Sequence, residues 1–276
     1  MSDNQDAADS DLGPQQPAAE PASTQRLLQA LGPRELRCAL LALLLPKRSD
    51  RALASWLNEI ETTQHTMQLR AEAMALAGAA RLPWFELLLG RMAGQPRAER
   101  QALLESTRRV VSARGAVQPL DTLHWLAMRR RLGEKPPASA RSGAESGFSK
   151  LSETDVYAIA RYSAFLSRMI PAHAPDGAAG AAWYASVMQR WVSRIDVPTQ
   201  FPLPDTDAVV RALHRVASLP LMQRPVLMRD WVSAALRHSA PAGLADLSAD
   251  ALRLSCTLLD TPVPAELAKH YIEPST

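Results

Sequence analysis

An all-α fold is what this sequence predicts, and three observations carry that expectation. Apolar residues return every three or four positions along most of the chain, and no convincing two-residue alternation occurs. Residues that cap helix N-termini stand just ahead of these runs, and prolines fall where first helical turns would begin. Beta-branched residues are too scattered to build strands. The pattern yields about a dozen helices joined by short connections.

Residues 1–24 stand apart from this pattern. Asp3, Asp6, Asp9, Asp11 and Glu20 give them five negative charges and no Lys or Arg, which reads as a disordered acidic tail. LRCALLALLL (36–45) is the longest apolar run; it is too short for the roughly 20 residues of a membrane span and reads as a buried core helix. A helix lying in a membrane interface is the alternative for that run. In SDRALASWLNEI (49–60), Ser49 is the N-cap and Leu53, Trp56, Leu57 and Ile60 share one face. Pro33, Pro83, Pro96, Pro119 and Pro220 are each placed in a first helical turn, where a missing N–H matters least.

GEKPPASARSGAESGFSK (133–150) combines Gly, Pro and Ser without an apolar period, which is linker composition. It divides the body into an N-terminal helical lobe, 25–132, and a C-terminal helical lobe, 151–276; a long surface loop within one domain is the alternative. The second lobe opens with SETDVYAIARYSAFLSRMI (152–170), where Ser152 and Asp155 have capping-box spacing ahead of an apolar stripe. Asp205 and Asp207 read as helix-start residues.

LLGRMAGQPRAERQALL (88–104) and ALHRVASLPLMQRPVLM (212–228) follow one plan at an offset of 124. Leu89/Leu213, Arg91/Arg215, Ala93/Ala217, Pro96/Pro220, Arg100/Arg224 and Leu103/Leu227 are identical pairs. Each copy reads as a helix end, a turn, a proline and a second helix, with leucines holding an antiparallel hairpin face to face. Duplication of a helical unit is the expectation, with chance likeness of two hairpins as the alternative.

Hydrophobic residues make up 47% and charged residues 21%, enough to bury a sizeable core. The net charge is +3, so removing the acidic tail leaves a body of +8, a mild excess that identifies no partner. Cys38 and Cys256 are the only cysteines and both lie in apolar helical patterns, so the fold does not depend on disulfides. No secretory signal opens the chain, and a cytoplasmic protein is expected.

The order of segments resembles a known family. RLPWFELLLGRMAGQPRAERQALLESTRRVVSARGAVQPLDTLHWLAMRRRL (81–132) resembles the helical region that follows the membrane part of bacterial HtpX-type, CAAX-protease-like zinc metallopeptidases. LRCALLALLLPKRSDRALASWL (36–57), AWYASVMQRWV (182–192), ALHRVASLPLMQRPVLMRDWVSAAL (212–236) and ADALRLSCTLLDTPVP (249–264) follow in the family's order, so the likeness spans about residues 26–270. Related modules occur in tellurite-resistance TerB-like proteins. The resemblance implies an accessory, TerB-like helical region standing without its peptidase. The H-E-x-x-H zinc signature is absent, no histidine has another four residues away, and the transmembrane helices are missing. Where the family often carries an acidic turn, this chain has Arg114-Gly115, which removes the carboxylate a cation would need.

Nothing in the motifs points to catalysis, a cofactor or a metal. No G-x-S-x-G elbow, Walker A loop, G-x-G-x-x-G or C-x-x-C is present, and the Cys, His and acid spacings do not form a zinc site. Two features bear on partners. WYASVMQRWV, after the small-residue run GAAGAA, offers Trp183, Tyr184, Met188 and Trp191 as partner-binding side chains. Arg108, Arg109, Arg114, Arg129, Arg130 and Arg131 make a basic surface, which reads first as a solvated helix face and then as a site for anionic surfaces or nucleic acid. The expected function is a non-catalytic adaptor or accessory module whose partner is a protein, a membrane protein among the candidates, with nucleic acid disfavoured. An enzyme with an unrecognised site is the competing class.

Overall fold

The computed structural model describes residues 24–46, 49–113, 115–133, 151–171, 178–192 and 205–275; side chains of residues 190–192 are outside the description. The acidic tail and the linker therefore lie outside the described residues, apart from Thr24 and Gly133. The fold is all-α. Thirteen helices and no strand occur among the described residues: α1 Gln25–Gln29, α2 Pro33–Leu44, α3 Asp50–Leu57, α4 Gln64–Ala75, α5 Gly78–Ala93, α6 Arg97–Ala113, α7 Pro119–Leu132, α8 Glu153–Leu166, α9 Ala178–Val192, α10 Thr206–Ala217, α11 Gln223–Ser239, α12 Asp246–Leu259 and α13 Ala265–Ala268.

The helices start where their caps stand. Ser49 Oγ accepts from Ala52 N at 3.2 Å, Asp205 Oδ1 from Ala208 N at 2.6 Å, and Ser152 and Asp155 close the reciprocal capping box. Pro33 and Pro119 open α2 and α7, and Pro96 immediately precedes α6. Pro220 stands one turn ahead of α11. Pro83 departs from expectation: it lies inside α5, which starts five residues earlier at Gly78. Lacking an N–H, Pro83 leaves the carbonyl of Ala79 without its intrahelical donor. Ile272 N, from the segment after α13, fills that vacancy at 3.1 Å.

The hairpin expectation needs correction. The helices on either side of the Pro96 turn do not pack chiefly on each other: α5 packs on α2 and α7, and α6 on α3, α7 and α2. In the second half α10 packs on α8 and α12, and α11 on α9 and α12. A third helix, α7 or α12, thus bridges each pair, and both bridging helices are 14 residues long. The two halves then meet through these same helices, α7 against α12, with α5 also touching α12. One continuous hydrophobic core runs through both halves. Helix α12 sits at the seam, buried on nearly every side from Ser248 to Leu259.

Two glycines permit close approaches. A Cβ on Gly78 would lie 1.6 Å from Asp246 Oδ2, and one on Gly180 would lie 2.1 Å from the carbonyl oxygen of Ser167. Gly180 lies within α9, so this part of the GAAGAA run is helical and lets α9 close on the end of α8.

Candidate functional site

An open depression of about 480 Å³ lies between α8 and α10. Arg215, in the last turn of α10, donates through Nε to Asp155 Oδ1 at 2.6 Å in the first turn of α8, so the two helices run antiparallel. Tyr157 and Arg161 on α8, and Arg211 and Arg215 on α10, each four residues apart, line the walls; Thr154 closes one side. Ala158 and Ala212, both nearly buried, form the apolar floor. Asp155 neutralises Arg215, and its own carboxyl is held below the usual aspartate range by Ser152 and Arg215 against the opposing effect of burial. Arg161 and Arg211 differ. Both are exposed, and neither has a hydrogen-bond or ion-pair partner among the described residues. The site therefore offers two guanidinium groups with no ion-pair partner among the described residues above a small apolar floor, an arrangement suited to carboxylates or other anions.

The partner-binding side chains expected from the sequence are elsewhere. Trp183, Tyr184 and Met188 are buried, at 0%, 4% and 3% exposure, and this corrects their reading as surface anchors. The physical reason is a polar-satisfied aromatic core. Trp183 Nε1 donates to the Trp231 carbonyl at 3.4 Å, Trp231 Nε1 to Ser163 Oγ at 3.0 Å, and Tyr162 shares a hydrogen bond with Ser255 at 2.9 Å. Burial pushes the Tyr184 hydroxyl up to about 12. Trp191 lies outside the described side chains.

The expected basic surface is partly compensated. Arg109 makes a two-pronged pair with Glu59, Nε to Oε1 at 2.6 Å and Nη2 to Oε2 at 2.7 Å, which draws the Glu59 carboxyl below its ordinary value. Arg108 lies over the Trp125 ring at 4.7 Å, and Arg130 pairs with Asp260 at the C-cap of α12. Arg129 and Arg131 are exposed; Arg114 is outside the described residues.

A second polar cluster locks the seam. Arg253 on α12 binds Glu86 of α5 (Nε to Oε2, 2.8 Å) and Glu273 (Nη1 to Oε1, 2.6 Å), and it stacks over Tyr271 at 4.5 Å. Thr257 donates to Glu86 at 2.9 Å, Tyr271 donates to Asp250 at 3.1 Å, and His270 contacts Asp246 at 3.1 Å. Burial is the main cause that raises the Asp250 carboxyl to about 7. Every charged group in this cluster faces another member, so it reads as a clasp between the halves.

Both cysteines are buried, and burial pushes their thiols up to about 12, leaving little thiolate at neutral pH. Among the described residues, no three His, Cys, Asp or Glu gather where they could hold a metal. None of the described helices is long and apolar enough to cross a membrane.

Comparison with known proteins adds no relative. No protein-family model matches the chain, and no curated protein or solved structure is significantly similar to it.

The arginines of the α8–α10 depression do not stand out as a group in the sequence because they are scattered along it. Arg161 and Arg211 are 50 residues apart, and only the packing of α8 on α10 brings them to one groove. The signal available in the sequence was the four-residue spacing within each pair, Tyr157 with Arg161 and Arg211 with Arg215.

Proposed function

We propose that this protein is a non-catalytic helical binding module whose partner is a protein carrying acidic side chains, and that the α8–α10 groove is its working surface. One observation carries the reading: Arg161 and Arg211 stand over an apolar floor with no ion-pair partner among the described residues. An acidic partner would supply those carboxylates, and paired guanidinium–carboxylate contacts give both direction and affinity. Gripping of nucleic acid or an anionic surface by α6 and α7 is the weaker reading, since Glu59 and Asp260 already compensate Arg109 and Arg130. The resemblance to the accessory region of HtpX-type metallopeptidases directs the search for the partner toward membrane proteases and envelope-stress components. A cytoplasmic location belongs to the same proposal.

Affinity purification from the native cell tests it, with bound proteins identified by mass spectrometry. The wild-type chain and an Arg129→Glu/Arg131→Glu variant should retain one common partner, and Arg161→Glu/Arg211→Glu should lose it. Retention by the groove variant together with loss by the α7 variant would overturn the assignment.

A further inference from the structure

We infer that the groove between α8 and α10 receives a helix, specifically an amphipathic helix bearing one acidic residue on each flank of a central aliphatic side chain. This rests on the reading of the groove as the working surface for an acidic protein, and it adds the conformation and the side-chain pattern of the occupant.

The first argument is geometric. Two antiparallel helices leave between them a channel in which the side chains of a third helix can seat. The floor of the channel is Ala158 and Ala212, whose small side chains allow a third backbone to come close. Its volume, about 480 Å³, exceeds what a single ion needs.

The second argument concerns backbone hydrogen bonding. An extended segment satisfies its N–H and C=O groups by pairing with a strand edge, and the described residues contain no strand. An extended occupant of this channel would find no strand edge to pair with among the described residues. A helix satisfies its own.

The third argument is charge. Arg161 stands on the α8 wall and Arg211 on the α10 wall, so acids three positions before and three positions after a central residue of the bound helix, which lie on its opposite flanks, would meet one guanidinium on each side. Between them, a Leu or Met would rest on the two alanines, with the Tyr157 ring as a side wall. Arg215, already neutralised by Asp155, helps to set the spacing of the helices rather than to attract the partner.

Three probes test the inference by fluorescence anisotropy on the full chain. The first is a 16-residue helical peptide with Glu three residues before and three residues after a central Leu. The second has the same composition with two central prolines that abolish the helix, and the third replaces Glu by Gln. The helical acidic peptide is expected to bind at least about tenfold more tightly than either control, and to lose that advantage with Arg161→Glu/Arg211→Glu. The variant should keep the wild-type circular dichroism and melting temperature, because both side chains are exposed. Equal binding of the helical and proline peptides, both lost in the variant, would overturn the helical occupant and leave the acidic-partner reading intact. Binding of none of the peptides, or binding indifferent to the variant, would overturn both. Saturable binding of inorganic phosphate or phosphatidylserine vesicles, lost in the variant, with no binding of the acidic peptide, would make the groove an anion or headgroup site and also overturn the helix.

Discussion

Arginine is the residue that ties sequence to structure here, and mostly not through surface charge. Arg91 Nη1 donates to the carbonyls of Leu27, Leu28 and Ala30 at the end of α1, while the buried Glu72 accepts from Arg26 N and Leu27 N at its start. The short α1 is thereby held at both ends by charges that suit its dipole. Arg81 gathers the carbonyls of Leu43 and Leu45 at the end of α2 and of Ala73 in α4. Arg100 donates to the Leu132 carbonyl ending α7 at 2.9 Å, and its repeat partner Arg224 donates to the Leu259 carbonyl ending α12 at 2.7 Å. Two positions paired by sequence alone thus perform one task in the two halves, which supports our proposal of duplication. Arg100→Ala and Arg224→Ala should each lower stability by about 1–2 kcal/mol, because each removes a charged donor from a helix terminus. Urea melts check this; a neutral result at one site and a large loss at the other would argue that the equivalence is superficial.

At the scale of elements, most of the helices were legible. Ser49, Ser152 and Asp205 cap as their spacing indicates, and the apolar run after Arg37 is buried from Cys38 to Leu45. Pro83 was misread because first-turn preference is a tendency, and α5 tolerates an interior proline once another chain segment takes the orphaned carbonyl. That segment is the stretch after α13, more than 180 residues away, and no local pattern announces it. Pro83→Ala should restore an intrahelical N–H to Ala79 and compete with Ile272 for that carbonyl. We expect faster amide exchange at Ile272 and its neighbours, read by hydrogen–deuterium exchange. Unchanged protection there would mean that the clasp around Arg253 alone holds the segment. The misread aromatic segment has a different cause. WYASVMQRWV has the composition of an anchor, but composition does not reveal that the Trp183 indole reaches the Trp231 carbonyl inside the core.

For the whole molecule, two helical halves share one core, joined through α7 and α12 and clasped by Arg253 between Glu86 and Glu273. The clasp contains Asp250, whose carboxyl titrates at about 7 in the folded chain against 3.8 for a free aspartate. Between those values the folded state keeps a proton that the unfolded state has released, so stability is highest at the acid end of that range. It falls as pH rises toward about 7 and levels off above. Asp250→Asn keeps an acceptor for Tyr271 and removes the titration, so it should flatten this slope and raise the melting temperature at pH 8 by about 2–4 °C. A slope that survives the substitution would assign it to another group.

The central claim is that the α8–α10 groove is where this molecule meets its partner. Site-specific photo-crosslinking in the native cell tests that claim most directly, with the reactive residue placed in turn at positions 161, 211, 129 and 131. The account predicts adducts from 161 and 211 that map to one acidic helical segment of a single protein, and none from 129 or 131. Adducts to that protein from 129 and 131, with the groove positions silent, would contradict it.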